Sequence, residues 1–324
     1  MTAPAHPPSK PLLQRLYLTI GFTHGYNFWL FLLLAGRLFL FTLFRLPYLD
    51  FHGVFCGSSP SRGGSSTDAA SPGECWVYLQ PGTRYQWGII VHLATILPAA
   101  LLACVQFVPL ARRRALAFHR ASGWVVVVLS VCGAVSSVVI APRAMNGGVA
   151  TVSVGVALST AFLWALARGC VCARRRQIQR HRDWMLRAWA YAGSIITLRI
   201  LVVASVIAMS LLGGYHSQQP CGKIDFILKG ENATMALYPA CAPFFSGQDP
   251  DLHIKVPVNV FNGDRVQVAS AVNVSFGMAG WAAFVIHFIG VELYLYLTSP
   301  KRQNPGKESA EVQKAKSVVA KKVD

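Results

Sequence analysis

Two histidine–arginine motifs offer the clearest chemistry in this chain. They read His119-Arg120-Ala121-Ser122-Gly123-Trp124 and His181-Arg182-Asp183-Trp184-Met185-Leu186-Arg187. Each motif stands at the start of its own apolar segment, and both arrive at the same membrane face. Two imidazoles that face each other can bind haem iron axially, and arginines can hold the haem propionates. The motifs therefore predict a single haem b with His119 and His181 as ligands and Arg120 and Arg187 near the propionates.

The same motifs allow two other interpretations. At a membrane surface, histidine and arginine can bind the phosphate of an anionic lipid or another anionic small molecule. They can also anchor helix ends by extending to the head groups. The sequence contains no nucleotide-binding loop, zinc motif or nucleophile elbow. Whether the protein is an enzyme stays open, and no metal site is predicted.

Ionisable residues inside apolar segments form a second group of candidates, because charge is costly in hydrocarbon and is functional there by default. The group comprises His24, Arg37, His92, Arg199, His287 and Glu292. Arg199 lies nearest the middle of its segment and needs a partner, for which Glu292, a propionate, a bound anion or a water-filled cavity would serve. The alternative function is therefore an anionic lipid or metabolite binding protein, or a carrier, centred on Arg199 with help from Arg37.

His24 and His287 lie at similar depths in the first and last apolar segments. At a rise of 1.5 Å per residue, both are about 12 to 15 Å from the inner boundary. A pair between them is geometrically possible. The commoner arrangement is two buried histidines that bond to backbone carbonyls or to Ser and Thr hydroxyls.

Six long apolar segments must position these residues. Of the residues, 53% are hydrophobic and only 13% are charged, and crossing the hydrocarbon takes about 20 mostly apolar residues. The segments cover residues 16–44, 87–109, 119–140, 149–167, 184–212 and 272–297. The sequence thus predicts an all-α membrane protein with six transmembrane helices.

Lys and Arg fall mainly on alternate sides of these segments. They precede the first, separate the second from the third and the fourth from the fifth, and follow the sixth. Basic loops stay in the cytoplasm, so both termini are predicted to be cytoplasmic. The net charge of +17 is then a topology signal and does not indicate nucleic-acid binding. The first segment is expected to be a retained signal anchor.

The predicted outer loops contain four cysteines. In an oxidising compartment these would pair, and we favour pairing within each loop, Cys56 with Cys75 and Cys221 with Cys241. Asn232-Ala233-Thr234 in the last outer loop is a glycosylation acceptor pattern. The C-terminal Lys321-Lys322-Val323-Asp324 resembles a dilysine retrieval signal. The expected location is the endoplasmic reticulum or the plasma membrane.

The two long outer loops differ in character. Residues 57–73 are rich in Gly, Ser and Pro and indicate a flexible connector. In the other loop, apolar and polar residues alternate over 254–260, Asn262-Gly263 follows, and Val266 and Val268 resume the alternation. That pattern predicts a β-hairpin. We therefore expect a small disulfide-tied β-hairpin cap on the outer face.

These elements divide the chain into five parts. They are the first helix with its outer loop (1–86), a four-helix core (87–215), the outer cap (216–271), the sixth helix (272–298) and a basic tail (299–324). The core carries His92, His119-Arg120 with Gly123, Gly147-Gly148, the His181 motif and Leu198-Arg199. In this pattern it resembles an uncharacterised family of bacterial and fungal multi-pass membrane proteins, a domain of unknown function.

The architecture also resembles, more weakly, the six-helix transmembrane cytochromes b. That resemblance implies one bis-histidine haem between the third and fifth helices toward the cytoplasm, where His119 and His181 lie. A second haem would need histidines on the second and fourth helices. His92 would serve on the second, but the fourth has no histidine, so at most one haem is implied.

Overall fold

The protein folds as a bundle of six long apolar helices. The computed structural model describes residues 12–57 and 70–298. Its six spans are Gly25–Leu49, Arg84–Gln106, Leu116–Ile140, Val149–Arg174, Ile178–Leu212 and Arg265–Leu297. Each is long and apolar enough to cross a bilayer, which confirms the predicted all-α membrane protein with six transmembrane helices.

Side chains on the outside of the bundle are apolar. Phe44, Val128 and Ile200, for example, are more than half exposed, a distribution that suits hydrocarbon and not water. Inside, small residues let the helices approach closely. A Cβ added to Gly277 on the sixth span would lie 2.6 Å from Ala150 on the fourth. The second span packs mainly on the third, and the fifth packs on the fourth and sixth.

The first span starts later than the sequence predicted. A short helix, Leu12–Thr19, precedes it, and the chain then breaks before Gly25. The break contains Gly21 at φ +95°, a left-handed conformation that glycine adopts without strain. The carbonyl of Ile20 there accepts the N–H of Leu110 from the loop after the second span (3.1 Å). A continuous first helix from residue 16 was therefore wrong.

The outer cap contains one two-stranded sheet. Strand β1 (His216–Pro220) pairs antiparallel with β2 (His253–Pro257). The predicted strand is therefore present, but its predicted partner around Val266 and Val268 was wrong. Those residues belong to the sixth span, because Asp264 caps the helix by accepting the N–H of Val266 (2.8 Å). The cap is a two-stranded sheet between distant segments and not a tight hairpin.

Short helices complete the loops. They are Phe51–Phe55, Cys75–Tyr78, Pro109–Arg114, Ala144–Gly147, Cys221–Leu228, Glu231–Leu237, Pro239–Cys241 and Ala242–Phe245. Both predicted disulfides are confirmed, Cys56 to Cys75 and Cys221 to Cys241. The loops that hold them leave the bundle at one end, here called the outer end, and the histidine–arginine motifs lie at the other, the inner end.

Some sequence predictions fall outside the described residues. These are most of the Gly- and Ser-rich connector, the basic tail from residue 299 and the Lys321-Lys322 signal.

Candidate functional site

The two motif histidines come together at the inner end of the bundle. His119 lies in the first turn of the third span and His181 in the first turn of the fifth, and their charges are within interaction range. The His181 Nδ1 is 2.9 Å from the carbonyl oxygen of Gly169. A carbonyl only accepts, so Nδ1 carries the proton, and Nε2 is the acceptor atom of the neutral His181 ring. The Nδ1 of His119 is buried without a hydrogen-bond partner in the described chain.

The arginines of the second motif are engaged by neighbouring side chains. Arg187 donates from Nε and Nη2 to the two carboxylate oxygens of Glu292, at 2.6 and 2.7 Å. This fork ties the fifth span to the sixth, and it makes Glu292 the partner of Arg187, not of Arg199. Arg182 lies 3.8 Å from Asp183 and donates to the hydroxyl of Tyr294 (3.4 Å). Arg120 is exposed.

A cluster of further cations surrounds the two histidines. Arg112, which lies in the short helix between the second and third spans, is exposed to solvent as a residue, and partial desolvation of its guanidinium together with the neighbouring charges of Arg182 and Arg113 lowers its pKa. A cavity of about 240 Å³ opens nearby, and four arginines line it, Arg168, Arg175, Arg180 and Arg187. Sequence analysis treated the first three only as a topology signal. The sequence alone could not show that these arginines and Trp184 line one cavity, because that depends on which spans pack against each other.

His92 and His287 form hydrogen bonds within the protein. The His92 Nδ1 is 2.9 Å from the carbonyl oxygen of Gly133 on the third span. The His287 Nδ1 is 2.7 Å from the Ala190 carbonyl, and its Nε2 is 2.8 Å from the Thr197 hydroxyl. His287 therefore joins the fifth and sixth spans.

His24 does not lie inside the first span as predicted. It directly precedes the helix that starts at Gly25, so it stands at the inner end, where it is exposed and stacks on Tyr26 (ring centroids 5.5 Å apart). The depth assigned to it was wrong because the helix breaks before it. The structure does not pair it with His287.

Arg199 lies between the membrane core and the outer loops. Its Nε is buried and has no hydrogen-bond partner among the residues that the structure describes. Its guanidinium stands 5.6 Å from the centre of the Phe276 ring on the sixth span. Glu74 and Tyr78 from the first outer loop, and Arg45 and Tyr48 from the first span, lie within range of its charge.

Glu74 connects all three outer loops, and sequence analysis did not single it out. Both of its carboxylate oxygens accept the N–H of Met145 from the second outer loop (3.1 and 3.0 Å). Its Oε1 lies 4.0 Å from Nζ of Lys223 in the third. Both side chains are almost completely buried. A signal was present in the sequence, since Glu74 directly precedes Cys75 and Lys223 follows Cys221 by two residues.

Burial dominates the electrostatics of this outer cluster. It raises the pKa of the Glu74 carboxyl, against the opposing effects of Lys223, the Met145 N–H and Arg199. It lowers the pKa of the Lys223 ammonium, which the Glu74 charge partly restores. Burial and the adjacent Glu74 raise the pKa of the Tyr78 hydroxyl well above its usual value. We call Arg45, Glu74, Tyr78, Arg199 and Lys223 the outer charge cluster.

Arg37 is a second intramembrane guanidinium without a partner for Nε in the described residues. It lies on the first span within range of the His287 charge. In residues 12–57 and 70–298, no group of three or more His, Cys, Asp or Glu side chains is placed to hold a metal ion.

The four-helix core matches a known family. Residues 89–216 match the model described as predicted membrane protein, DUF2306. The chain is also similar to Ava biosynthesis cluster protein G of Aspergillus versicolor, with 24% identity over 326 residues, 85% of this chain and 90% of that protein. No solved structure matches the chain. The matched segment holds both histidine–arginine motifs and Arg199, so the core of this integral membrane protein is similar to the DUF2306 family of predicted membrane proteins.

Proposed function

We propose that the protein binds an anionic ligand at Arg199, between its membrane core and its outer loops. The observation that carries the proposal is the buried Nε of Arg199, which finds no hydrogen-bond partner in the described chain. A guanidinium keeps its charge at any physiological pH. A buried donor without an acceptor destabilises a protein by about 1 to 3 kcal/mol, and by more when the donor is charged. A bound anion would remove that cost.

The charges around Arg199 support this proposal. The outer charge cluster contains three basic side chains, Arg45, Lys223 and Arg199, and one carboxylate, Glu74. That carboxylate is already shared between Lys223 and the N–H of Met145. The positive charge of Arg45 also repels that of Arg199. The cluster is thus net positive in a region of low dielectric constant, where an added negative charge is bound strongly.

Arg37 extends the proposal toward a carrier. It precedes Arg45 by eight residues on the first span, about 12 Å along the helix axis. Its Nε is also buried without a partner in the described chain. Two guanidiniums whose buried Nε atoms lack a hydrogen-bond partner in the described residues give an anion successive places to bind. A soluble carboxylate or phosphate compound is the class of ligand that fits.

Thermal unfolding of the purified protein in nanodiscs, with and without added anions, tests the proposal. Phosphate, sulfate and dicarboxylates are compared at constant ionic strength, each variant against its own unliganded baseline. Bound ligand at 100 times its Kd stabilises by about 2.7 kcal/mol. Arg199→Gln should lose this stabilisation, whereas Arg113→Gln, an exposed inner arginine, should keep it. Full stabilisation of Arg199→Gln would refute the proposal.

A second candidate, a b-type haem at the inner end, rests on the two motif histidines. The two imidazoles lie within electrostatic interaction range, Nε2 is the acceptor atom of neutral His181, and Nδ1 of His119 is buried without a hydrogen-bond partner in the described part of the chain. The Gly169 carbonyl orients His181 in the way that second-shell acceptors orient metal-bound histidines. Because Arg187 is held by Glu292, Arg120 is the motif arginine left for a propionate. A bound haem would supply one-electron chemistry.

A reduced-minus-oxidised spectrum of protein expressed with haem supply tests this candidate. A haem b signal should disappear in His119→Ala and His181→Ala and persist in His24→Ala, which alters an exposed histidine at the same end. A colourless, folded protein would exclude the candidate.

A further inference from the structure

Two cavities flank the inner end of the fourth span. The first is the arginine cavity of about 240 Å³, which Arg168 and Cys172 border from this helix and Arg175 borders from the position directly after it. The second measures about 280 Å³ and lies toward the third span, where Leu166, Ala167 and Cys170 border it. Val171 borders both cavities and is itself 40% exposed. The two spaces are thus neighbours along one strip of the protein surface.

The arginine cavity carries a net positive charge. Arg187 is neutralised by Glu292, and Asp183 in the wall lies near Arg182 outside it. In the described chain, Arg168, Arg175 and Arg180 have no carboxylate within salt-bridge distance. The Trp184 ring contacts two of the guanidiniums, at 5.6 Å from Arg168 and 4.8 Å from Arg187. Three uncompensated arginines fit a group with more than one negative charge.

The second cavity is apolar. Eight of its nine wall residues are uncharged, among them Trp124, Val127 and Leu163, and Arg174 is its one charged wall residue. Arg174 lies 5.4 Å from the Trp124 ring. Val171 precedes the last residue of the span by three positions, about 4.5 Å along the axis. Val171 thus lies near the inner end of the span, next to the arginine-rich loop that follows it.

We propose that this strip binds one phospholipid of the inner leaflet whose head group is a phosphomonoester. Its phosphate occupies the arginine cavity, its glycerol passes over Val171, and one acyl chain fills the apolar cavity. Basic pockets between helices on the cytoplasmic side bind phosphorylated head groups in this way. The phosphate alone would also satisfy the arginines, but the adjoining apolar cavity, which shares Val171 with the arginine cavity near the inner end of the span, assigns the ligand to a lipid. This site is separate from Arg199.

Native mass spectrometry of the full-length protein in mixed micelles tests the proposal. The probes are phosphatidic acid, phosphatidylserine and phosphatidylcholine with matched chains, with glycerol 3-phosphate as the soluble probe. Phosphatidic acid should bind at least about ten-fold more tightly than phosphatidylserine, because its head group carries more charge on one phosphate. Arg168→Gln with Arg175→Gln should weaken it roughly five-fold per arginine.

Two variants separate this site from general surface charge. Ala167→Trp fills the apolar cavity, so it should weaken the binding of phosphatidic acid without changing the binding of glycerol 3-phosphate. Arg113→Gln with Arg114→Gln removes two exposed inner arginines outside both cavities and should leave the selectivity intact. Three results would each overturn the proposal. They are equal affinities for phosphatidic acid and phosphatidylserine, an affinity for glycerol 3-phosphate equal to that for phosphatidic acid, and a loss of phosphatidic acid binding in the Arg113/Arg114 control as large as in the Arg168/Arg175 variant. Arg199→Gln should not alter lipid binding.

Discussion

The buried pair of Glu74 and Lys223 predicts which of two single substitutions destabilises the protein more. Glu74 interacts with two cations, Lys223 and Arg199, whereas Lys223 has one carboxylate partner in the described chain. Removing the carboxylate therefore strands two buried charges, and removing the lysine leaves Glu74 with Arg199 still in range. Glu74→Gln, which retains the acceptor for the Met145 N–H, should destabilise the protein more than Lys223→Met.

The separation of the pair sets the size of the effect. At 4.0 Å and an effective dielectric constant of about 20, two unit charges attract by about 4 kcal/mol. Removing one partner of a buried pair typically costs about 3 to 5 kcal/mol. We expect a loss in this range for Glu74→Gln and at most about half of it for Lys223→Met. The double variant should be more stable than the sum of the single losses implies, because each change removes the other's partner.

Chemical denaturation of nanodisc-reconstituted protein, followed by tryptophan fluorescence, measures these losses. Lys255→Met is the matched control, because Lys255 is exposed on β2 in the same outer loop, and it should change stability by less than about 0.5 kcal/mol. Strict additivity in the double-mutant cycle, or a larger loss for Lys223→Met than for Glu74→Gln, would refute the reasoning.

Three further predictions follow from contacts described above. Burial raises the pKa of Glu74, so acidification toward that pKa neutralises the carboxylate that competes with an added anion for Arg199. The affinity for the anion should therefore rise as the pH falls. In the same titration, Glu74→Gln should show high affinity with little pH dependence. Glu292→Gln should weaken the fork with Arg187 and lower the free energy of unfolding by about 1 to 2 kcal/mol, because the pair is partly exposed; an unchanged denaturation midpoint would contradict this. Asn232, exposed in the first turn of its helix, should carry a glycan in the native host, seen as a gel-mobility shift lost in Asn232→Gln.

The six spans could be predicted because the bilayer fixes the length of an apolar helix. The break before Gly25 could not, since it depends on the hydrogen bond from Leu110 to Ile20 between segments far apart in sequence. The strand at His253–Pro257 was visible in the alternation of residues. Its partner was not, because β1 lies more than 30 residues earlier and is brought close by the folded, disulfide-linked loop.

The candidate site was only half visible in the sequence. The cost of charge in hydrocarbon selected Arg199 and Arg37, and the Nε atoms of both are buried without a hydrogen-bond partner in the described residues. The same rule overlooked Glu74 and Lys223, because both stand in polar loops where a charged residue is usually solvated. Only the packing of the three outer loops buries them. The inner arginines were visible as charge, but the cavity that they line arises from the pairing of the fourth and fifth spans.

The contacts of Glu74 set an order for the biogenesis of the protein. Met145 and Lys223 follow it by 71 and 149 residues, and each belongs to a later outer loop. At about 5 to 20 residues per second, the ribosome delivers Lys223 roughly 7 to 30 s after Glu74. During that interval the carboxylate of Glu74 cannot yet be buried by Lys223, and its burial must wait for the last pair of helices to be inserted. Quality-control factors that bind unassembled membrane segments therefore have many seconds in which to bind this loop. In a chain truncated before Lys223, the contact between Glu74 and Lys223 would never form.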